Sequence, residues 1–299
     1  MTKADMRLGI DLGGTKIEEL VINESGNVVQ SHRIPTPNND YRAILNSVAG
    51  LVTHLTTDLD LPVGIGTPGS ISSRTGLMHN SNSTCLNGQP LLKDLELTLN
   101  RSVRIANDAD CFTLSEAIDG AAQDAHVVFG VILGTGVGGG ICINRELVSG
   151  ANGITGEWGH NPLPATVNEI RRCYCGGKNC VETWLSGPGL ETSTKRSYQQ
   201  AVDSRFIAEE ISNNEPQAIA LIEEYCDKLA AALAIVINIL DPEKIVLGGG
   251  LSNIDAIYEM TPEFLPKYVF SDHVSTRIVR AEYGDSSGVR GASCCSNRT

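Results

Sequence analysis

Two widely separated stretches of the chain repeat one plan, and that repeat narrows the possible folds more than any other feature. Residues 7–22 read RLGID, LGGTK and IEELVI; residues 125–148 read AHVVFGVIL, GTGVGGG and ICINRELV. In each, a β-rich run enters a glycine-dense turn and leaves as a second β-rich run. NESGN then turns the first stretch into VVQSHRI, so three strands in a row form a meander. Helices and strands alternate around these openings. Ile44, Leu45, Val48, Leu51, Val52 and Leu55 recur at helical spacing, PVGIGTPG reads as a strand ending in a glycine-proline loop, and SVRIAND as another short strand. ADCFTLSEAIDGAA is a helix that stops at glycine, a long helix runs from about Pro216 to Leu240, and KIVLGGG and RIVRAEYG are strands flanking a further helix-like segment. The chain then closes on a short tail, DSSGVRGAS. A parallel sheet with helices on its faces, built twice, is the economical reading, and 299 residues suffice for two domains.

A net charge of −12 argues against nucleic acid or an anionic membrane as the main partner, since both select clustered Lys and Arg. Any phosphate site must therefore be local. The opening MTKADMRLGIDLGG places acidic residues where a signal peptide needs an apolar run, so none is expected. Leu229 to Leu240 is the longest apolar candidate, and it is short of the ~20 residues a membrane helix needs. A cytoplasmic chain is the expectation. In that compartment its nine cysteines are free thiols. Cys85, Cys111, Cys142 and Cys226 are expected in the core as small apolar residues, while the sequence leaves Cys294 and Cys295 open between core and surface.

Six short motifs carry chemistry. DLGGTK, Asp11 to Lys16, serves either turn geometry alone or a phosphate loop in which bare backbone meets the anion and Asp11 organises Mg²⁺. It is not a Walker A loop. LGTGVGGG matches G-x-G-x-x-G through Gly134, Gly136 and Gly139, but a strand follows it where a dinucleotide fingerprint opens a helix. The two glycine hairpins instead suggest a phosphate clamp, with LGGG, Gly248 to Gly250, near the nucleotide's base or ribose. In IANDAD an aspartate before a helix is an N-cap or a general base, and Asp108 and Asp110 are both candidates. GEWGHNPLP and CYCGGKNC together offer His160, Cys173, Cys175 and Cys180, a Cys₃His set that suits a closed, structural zinc site. If one nitrogen of His160 binds zinc, the other is held in a fixed direction, and Glu157 is close enough to face the same ligand. Glu182, two residues past the last cysteine, is steered by the same knot.

DLGGTK, NDAD, LGTGVGGG, GEWGH, CYCGGKNCVE followed by LSG, and LGGG stand in the order found in the ROK family of sugar kinases and repressors, which the chain resembles over nearly its whole length. The resemblance implies an α/β, two-lobed actin-like ATPase (ribonuclease H-like) fold of duplicated mixed sheets with flanking helices and a zinc-stabilised loop. It implies a small lobe, 1–117, on which the tail 286–299 packs, and a large lobe, 118–285, with nucleotide loops, zinc and an oligomer surface. By the same analogy Asp108 is the catalytic base, and Gly69, Asn107, Asp108, Glu157, His160 and Glu182 bind the sugar, His160 doubling as a zinc ligand. Asp11, Gly13, Gly14, Thr15, Lys16, Gly134, Thr135, Gly136, Gly248 and Gly249 then hold ATP and Mg²⁺. Asp108 would deprotonate a hexose 6-hydroxyl for attack on the γ-phosphoryl, the lobes closing to exclude water. A homodimer is implied too.

Within the family, NSNSTCLNGQPLLKDL and GEWGHNPLP are similar to bacterial fructokinases of the manno(fructo)kinase type, so fructose is the expected sugar. Mannose, glucose, N-acetylglucosamine and N-acetylmannosamine are the alternatives. Two departures stand out: Cys85 replaces the tryptophan that usually follows NST, and GASCCSNRT replaces the usual aromatic ending. The family's repressors need an N-terminal helix-turn-helix domain, for which the six residues before the first strand leave no room.

Overall fold

The computed structural model describes residues 6–55 and 61–296. The side chain of Leu55, residues 1–5 of the expected small lobe and residues 297–299 of the tail lie outside that description. In chain order the elements are β1 Met6–Leu12, β2 Lys16–Asn23, β3 Val28–Pro35, α1 Tyr41–Leu55, β4 Val63–Thr67, β5 Ser70–Ile71, β6 Met78–His79, α2 Leu91–Leu99, β7 Val103–Asn107 and α3 Asp108–Ile118. The second half runs β8 Val127–Leu133, β9 Val137–Ile143, β10 Glu146–Leu147, α4 Glu182–Leu185, α5 Gly187–Tyr198, α6 Ser204–Ser212, α7 Pro216–Leu240, β11 Lys244–Gly248, α8 Ala256–Phe264, β12 Arg277–Arg280 and α9 Ser287–Cys295.

The repeat in the sequence is a repeat in space. One five-stranded sheet has the order β3-β2-β1-β4-β7 and a second five-stranded sheet β10-β9-β8-β11-β12, while β5 and β6 pair separately. In both five-stranded sheets, the meander is antiparallel and the strands beyond it are parallel, so the sheets are mixed and not parallel throughout. The register pairs Leu12 with Ile17 and Leu133 with Val137, which leaves a four-residue connection, Gly13–Lys16, and a three-residue one, Gly134–Gly136, at corresponding places. Parallel pairing sets Asp11 beside Gly66, and Thr67 beside Asn107, along one edge where strands end. In open α/β sheets that edge is where ligands bind.

The first sheet buries Leu8, Ile10 and Val21 against α1 and α2 through Ile44, Val48, Leu91 and Leu95. The second buries Phe129, Val131 and Leu247 against Leu229, Leu233 and Ile257 of α7 and α8. Between the sheets lie α3 and α9, whose Cys111, Phe112, Leu114, Ala292, Cys294 and Cys295 form a third apolar cluster with Val128 and Val246.

The tail is therefore not a loose ending. It is helix α9, and small residues on both sides let it approach closely. A Cβ on Gly64 would stand 1.8 Å from the Ala292 carbonyl oxygen, one on Gly9 2.4 Å from Ser293 N, and one on Gly291 1.7 Å from the Cys111 carbonyl oxygen. This is the physical account of GASCCS: an aromatic residue there would have to replace that contact. Cys294 and Cys295 are buried, as are Cys111, Cys142 and Cys226. Cys85 corrects the sequence reading, because the 3₁₀ turn Thr84–Leu86 turns Leu86 into the core and leaves the cysteine half-buried. Among the described residues no helix is long and apolar enough to cross a membrane.

Candidate active site

The end of β7 and the start of α3 build the first part of the site. Asn107 is the N-cap: its Oδ1 accepts from Ala109 N at 2.8 Å, and its Nδ2 donates to Gly69 O at 3.1 Å. The capping role that could have explained Asp108 thus belongs to its neighbour. Gly69 has φ +82°, and a Cβ there would lie 2.5 Å from the His79 carbonyl oxygen, so only glycine fits the loop that Asn107 holds.

Four carboxylates gather at this edge. Burial raises the affinity of Asp108 for a proton, the Ala109 N–H opposes that rise, and the charge of Glu157 reinforces it. Asp110 is pushed up to about 7 by burial and by Asp108 and Glu157, and its Oδ1 is buried with no hydrogen-bond partner. Asp11 is pushed up to about 6 by burial, Asp108 and Glu18, with Lys16 and Arg33 pulling the other way. Mutual repulsion among desolvated carboxylates is relieved by a hard divalent cation, and an orphaned oxygen is a ready ligand. Carboxylate oxygens of this kind suit Mg²⁺, which takes one or two carboxylates and keeps several waters.

Glu157 reaches this cluster because of β9. Successive residues of a strand face opposite sides, and here three glycines in a row open both. On one side a Cβ on Gly138 would stand 3.3 Å from Ala109 Cβ, and one on Gly140 2.5 Å from Thr113 Oγ1, so α3 lies almost on the backbone. On the other side a Cβ on Gly139 would meet Trp158 Cδ1 at 2.8 Å and Gly156 O at 2.9 Å. Trp158 Nε1 also donates to Gly138 O at 3.0 Å. One strand thus holds the helix of Asp108 against one face and the GEWGH turn against the other. The glycines of GEWGH have the same cause, since a Cβ on Gly159 would stand 2.1 Å from Val137 O.

The four sequence-predicted metal ligands converge. One ligand atom from each of His160, Cys173, Cys175 and Cys180 lies within 4.8 Å of the others. His160 Nδ1 is 3.6 Å from Cys173 Sγ, and Cys175 Sγ is 3.7 Å from Cys180 Sγ. A tetrahedron with metal–sulfur bonds of about 2.3 Å has sulfur–sulfur edges of roughly 3.7 Å, so the Cys175–Cys180 separation matches such an edge and the donor types suit zinc. Gly176, at φ +92°, makes the bend. The other imidazole nitrogen departs from expectation: His160 Nε2 is 3.1 Å from the Tyr174 hydroxyl, with the two rings edge to face at 5.2 Å. Tyr174 was missed in the sequence, where its only signal is its place between two ligating cysteines.

The glycine loops divide. Thr36 pins the first, its hydroxyl on Gly13 O at 2.7 Å and its N–H on Thr15 O at 3.0 Å, leaving Gly14 and Thr15 exposed. Lys16 lies 3.6 Å from Glu18. At the second, Thr135 is exposed, Gly187 N donates to Gly134 O at 2.8 Å, and Glu182 Oε2 accepts from Val137 N at 3.0 Å. A Cβ on Gly136 would stand 2.6 Å from that same carboxylate oxygen. Close packing requires glycine at Gly248 and Gly249, whose Cβ positions would meet Phe112 and Leu133 O at 2.5 Å each, and Gly249 also has φ +83°.

Duplicated mixed sheets, a carboxylate cluster at their edge and a Cys₃His loop define a two-lobed α/β protein of the actin-like ATPase type. Residues 7–298 match the family model described as ROK family, and the chain belongs to that family. Over 296 residues it is 41% identical to the N-acetyl-D-glucosamine kinase of Yersinia pseudotuberculosis, covering 96% of this chain and 97% of that protein. It is 39% identical to the N-acetyl-D-glucosamine kinase of Vibrio atlanticus, covering 96% and 98%. The crystal structure of a ROK hexokinase from Thermus thermophilus matches it with a TM-score of 0.86 at 27% identity, covering 97% of each chain.

Proposed function

We propose that the protein is an ATP-dependent sugar kinase that phosphorylates the 6-hydroxyl of N-acetyl-D-glucosamine. The observation that carries the choice of sugar is the 41% identity, over nearly the full length of both chains, to the Yersinia kinase of that name. The motifs NSNSTCLNGQPLLKDL and GEWGHNPLP had favoured fructose, and the relatives move that preference to one of its alternatives.

Asp108 is the general base. Burial and the neighbouring Glu157 raise its affinity for a proton, which suits a group that must take one from an alcohol. Asn107, the loop of Gly69, Glu157, His160 and Glu182 bind the sugar, His160 in concert with Tyr174. Gly13, Gly14, Thr15, Lys16, Gly134, Thr135, Gly136, Gly248 and Gly249 line the nucleotide side. Mg²⁺, held through Asp11, supplies charge neutralisation for the transferring phosphoryl group, and phosphoryl transfer asks for little beyond that and positioning. Zinc on His160, Cys173, Cys175 and Cys180 has no open position and serves to stiffen the loop. Lobes 1–117 and 118–285, with α9 on the first, a homodimeric assembly and a cytoplasmic site belong to the same reading.

The test is a comparison of kcat/KM across N-acetylglucosamine, N-acetylmannosamine, fructose, mannose and glucose with ATP and Mg²⁺. N-acetylglucosamine should lead by at least tenfold. Preference for fructose would restore the motif-based reading, and turnover with none of them would remove the kinase assignment.

A further inference from the structure

Helix α4, which carries Glu182, cannot hold its own shape. It is four residues long, and its N-cap, Val181, has no side chain to cap it. A guanidinium does that work. Arg171 Nη1 donates to Thr183 O at 2.9 Å and to Gly189 O at 2.8 Å, so one nitrogen ties α4 to the start of α5. Nε donates to Glu169 Oε1 at 2.7 Å and Nη2 to Ser193 Oγ at 3.0 Å. The guanidinium stacks on the Trp184 ring, 3.6 Å from its centroid. Thr183 and Trp184 are the two residues that follow Glu182.

The other end of Arg171 is fixed to the metal loop. Its N–H donates to Asn179 Oδ1 at 2.7 Å, and its carbonyl accepts from Asn179 N at 2.8 Å, immediately before Cys180. A buried guanidinium is expensive to desolvate unless it is paired and its donors are satisfied, as they are here by Glu169, Ser193 and the two carbonyls. A lysine could not replace it, because an ammonium has no plane to stack on the indole and no second and third nitrogen to reach Glu169 and Ser193 while it serves the two carbonyls.

We propose that Arg171 is a positioning residue, which conveys the rigidity of the metal-tied loop to Glu182 and so sets the carboxylate that meets the sugar and the second glycine hairpin. This rests on the reading of Glu182 as a sugar-binding group.

The experiment compares the full chain with Arg171→Lys, Arg171→Met, Glu182→Gln and the Arg171→Lys/Glu182→Gln pair. N-acetylglucosamine binding is measured by calorimetry beside a non-hydrolysable ATP analogue, together with kcat, both KM values and zinc content. Displacing a bound group by about 1 Å can cost on the order of a hundredfold. Arg171→Lys should therefore raise the sugar Kd and KM tenfold or more while zinc stays at one per chain and the ATP KM moves less than about twofold. In the pair, the lysine should add little to the loss caused by Glu182→Gln. Unchanged sugar affinity in Arg171→Lys, fully additive losses in the pair, or loss of zinc in step with loss of binding would overturn the proposal. Where Arg171→Met does not fold, Arg171→Lys remains decisive. A wild-type chain that binds none of the sugars would instead fail the kinase reading itself, and the role of Arg171 with it.

Discussion

The side-chain amide of Asn107 donates to the carbonyl oxygen of Gly69 at 3.1 Å while its oxygen caps α3. A single residue thus sets both the direction of the Asp108 helix and the shape of a loop that, in the proposed function, faces the sugar. The two roles are separable. Asn107→Ala should lose the cap, about 1 kcal/mol, and lower Tm by a few degrees. Asn107→Ser keeps a capping oxygen but not the amide, so it should hold Tm near wild type while the sugar KM rises. A serine variant with unchanged KM would show that the bond to Gly69 has no part in binding.

Asp108→Asn keeps the size and most hydrogen bonds of the side chain but cannot accept the proton. A general base typically contributes 10²–10⁴-fold, so kcat should fall into that range of loss while sugar affinity, read by calorimetry, stays within a few-fold. Asp110→Asn should cost less. Equal turnover in Asp108→Asn and wild type, with a collapse in Asp110→Asn, would move the role two residues along.

Glu19 gives the protein a pH-dependent stability. It lies in β2 opposite Ile10, fully buried, and neither carboxylate oxygen has a hydrogen-bond partner. Burial pushes it up from 4.5 to about 7. The folded state therefore holds this proton more tightly than the unfolded chain. Stability is greatest below the unfolded value near 4.5, falls as pH rises towards 7, and is level above it, a change of about 3 kcal/mol. Asp11 and Asp110 act with the same sign in an overlapping window, so the informative quantity is a difference. Glu19→Met should be more stable than wild type at pH 8 and close to it at pH 4.5, by urea unfolding. A parallel offset at all pH values would refute this.

Stripping zinc should be readable without any assay of turnover. A strong chelator should release about one zinc per chain, lower Tm and weaken sugar binding more than nucleotide binding, and Cys175→Ser should reproduce the effect. Closed thiolate sites contribute directly to folding energy. Retention of full Tm and sugar affinity in the metal-free protein would contradict a stiffening role.

The doubled sheet was legible because glycine hairpins and strand alternation are local signals, and the metal set because cysteine spacing is. Asp108 could be read only as one of two candidates, since capping by Asn107 depends on backbone angles at the strand end. Tyr174 and Arg171 escaped notice because their partners, His160 Nε2 and the carbonyls of Thr183 and Gly189, are brought near only by the folded loop. The glycines of β9 were read as phosphate loop alone. Their second use, admitting α3 on one face and Trp158 on the other, is a property of tertiary packing that no periodicity announces. The sequence offers no physical account of the ending GASCCSNRT, because the small residues of α9 take their meaning from the strands and helix packed on either side of it.

That placement has a consequence for assembly. The sheet of β1, β2, β3, β4 and β7 receives α9, a helix remote from it in sequence, directly against Gly9 and Gly64. Until α9 docks, those strands have their α1 side covered and their opposite side bare. The amino-terminal half is thus completed by a contact of long sequence separation, the kind that forms late in folding, and removing α9 would disable the sheet that lies farthest from it along the chain.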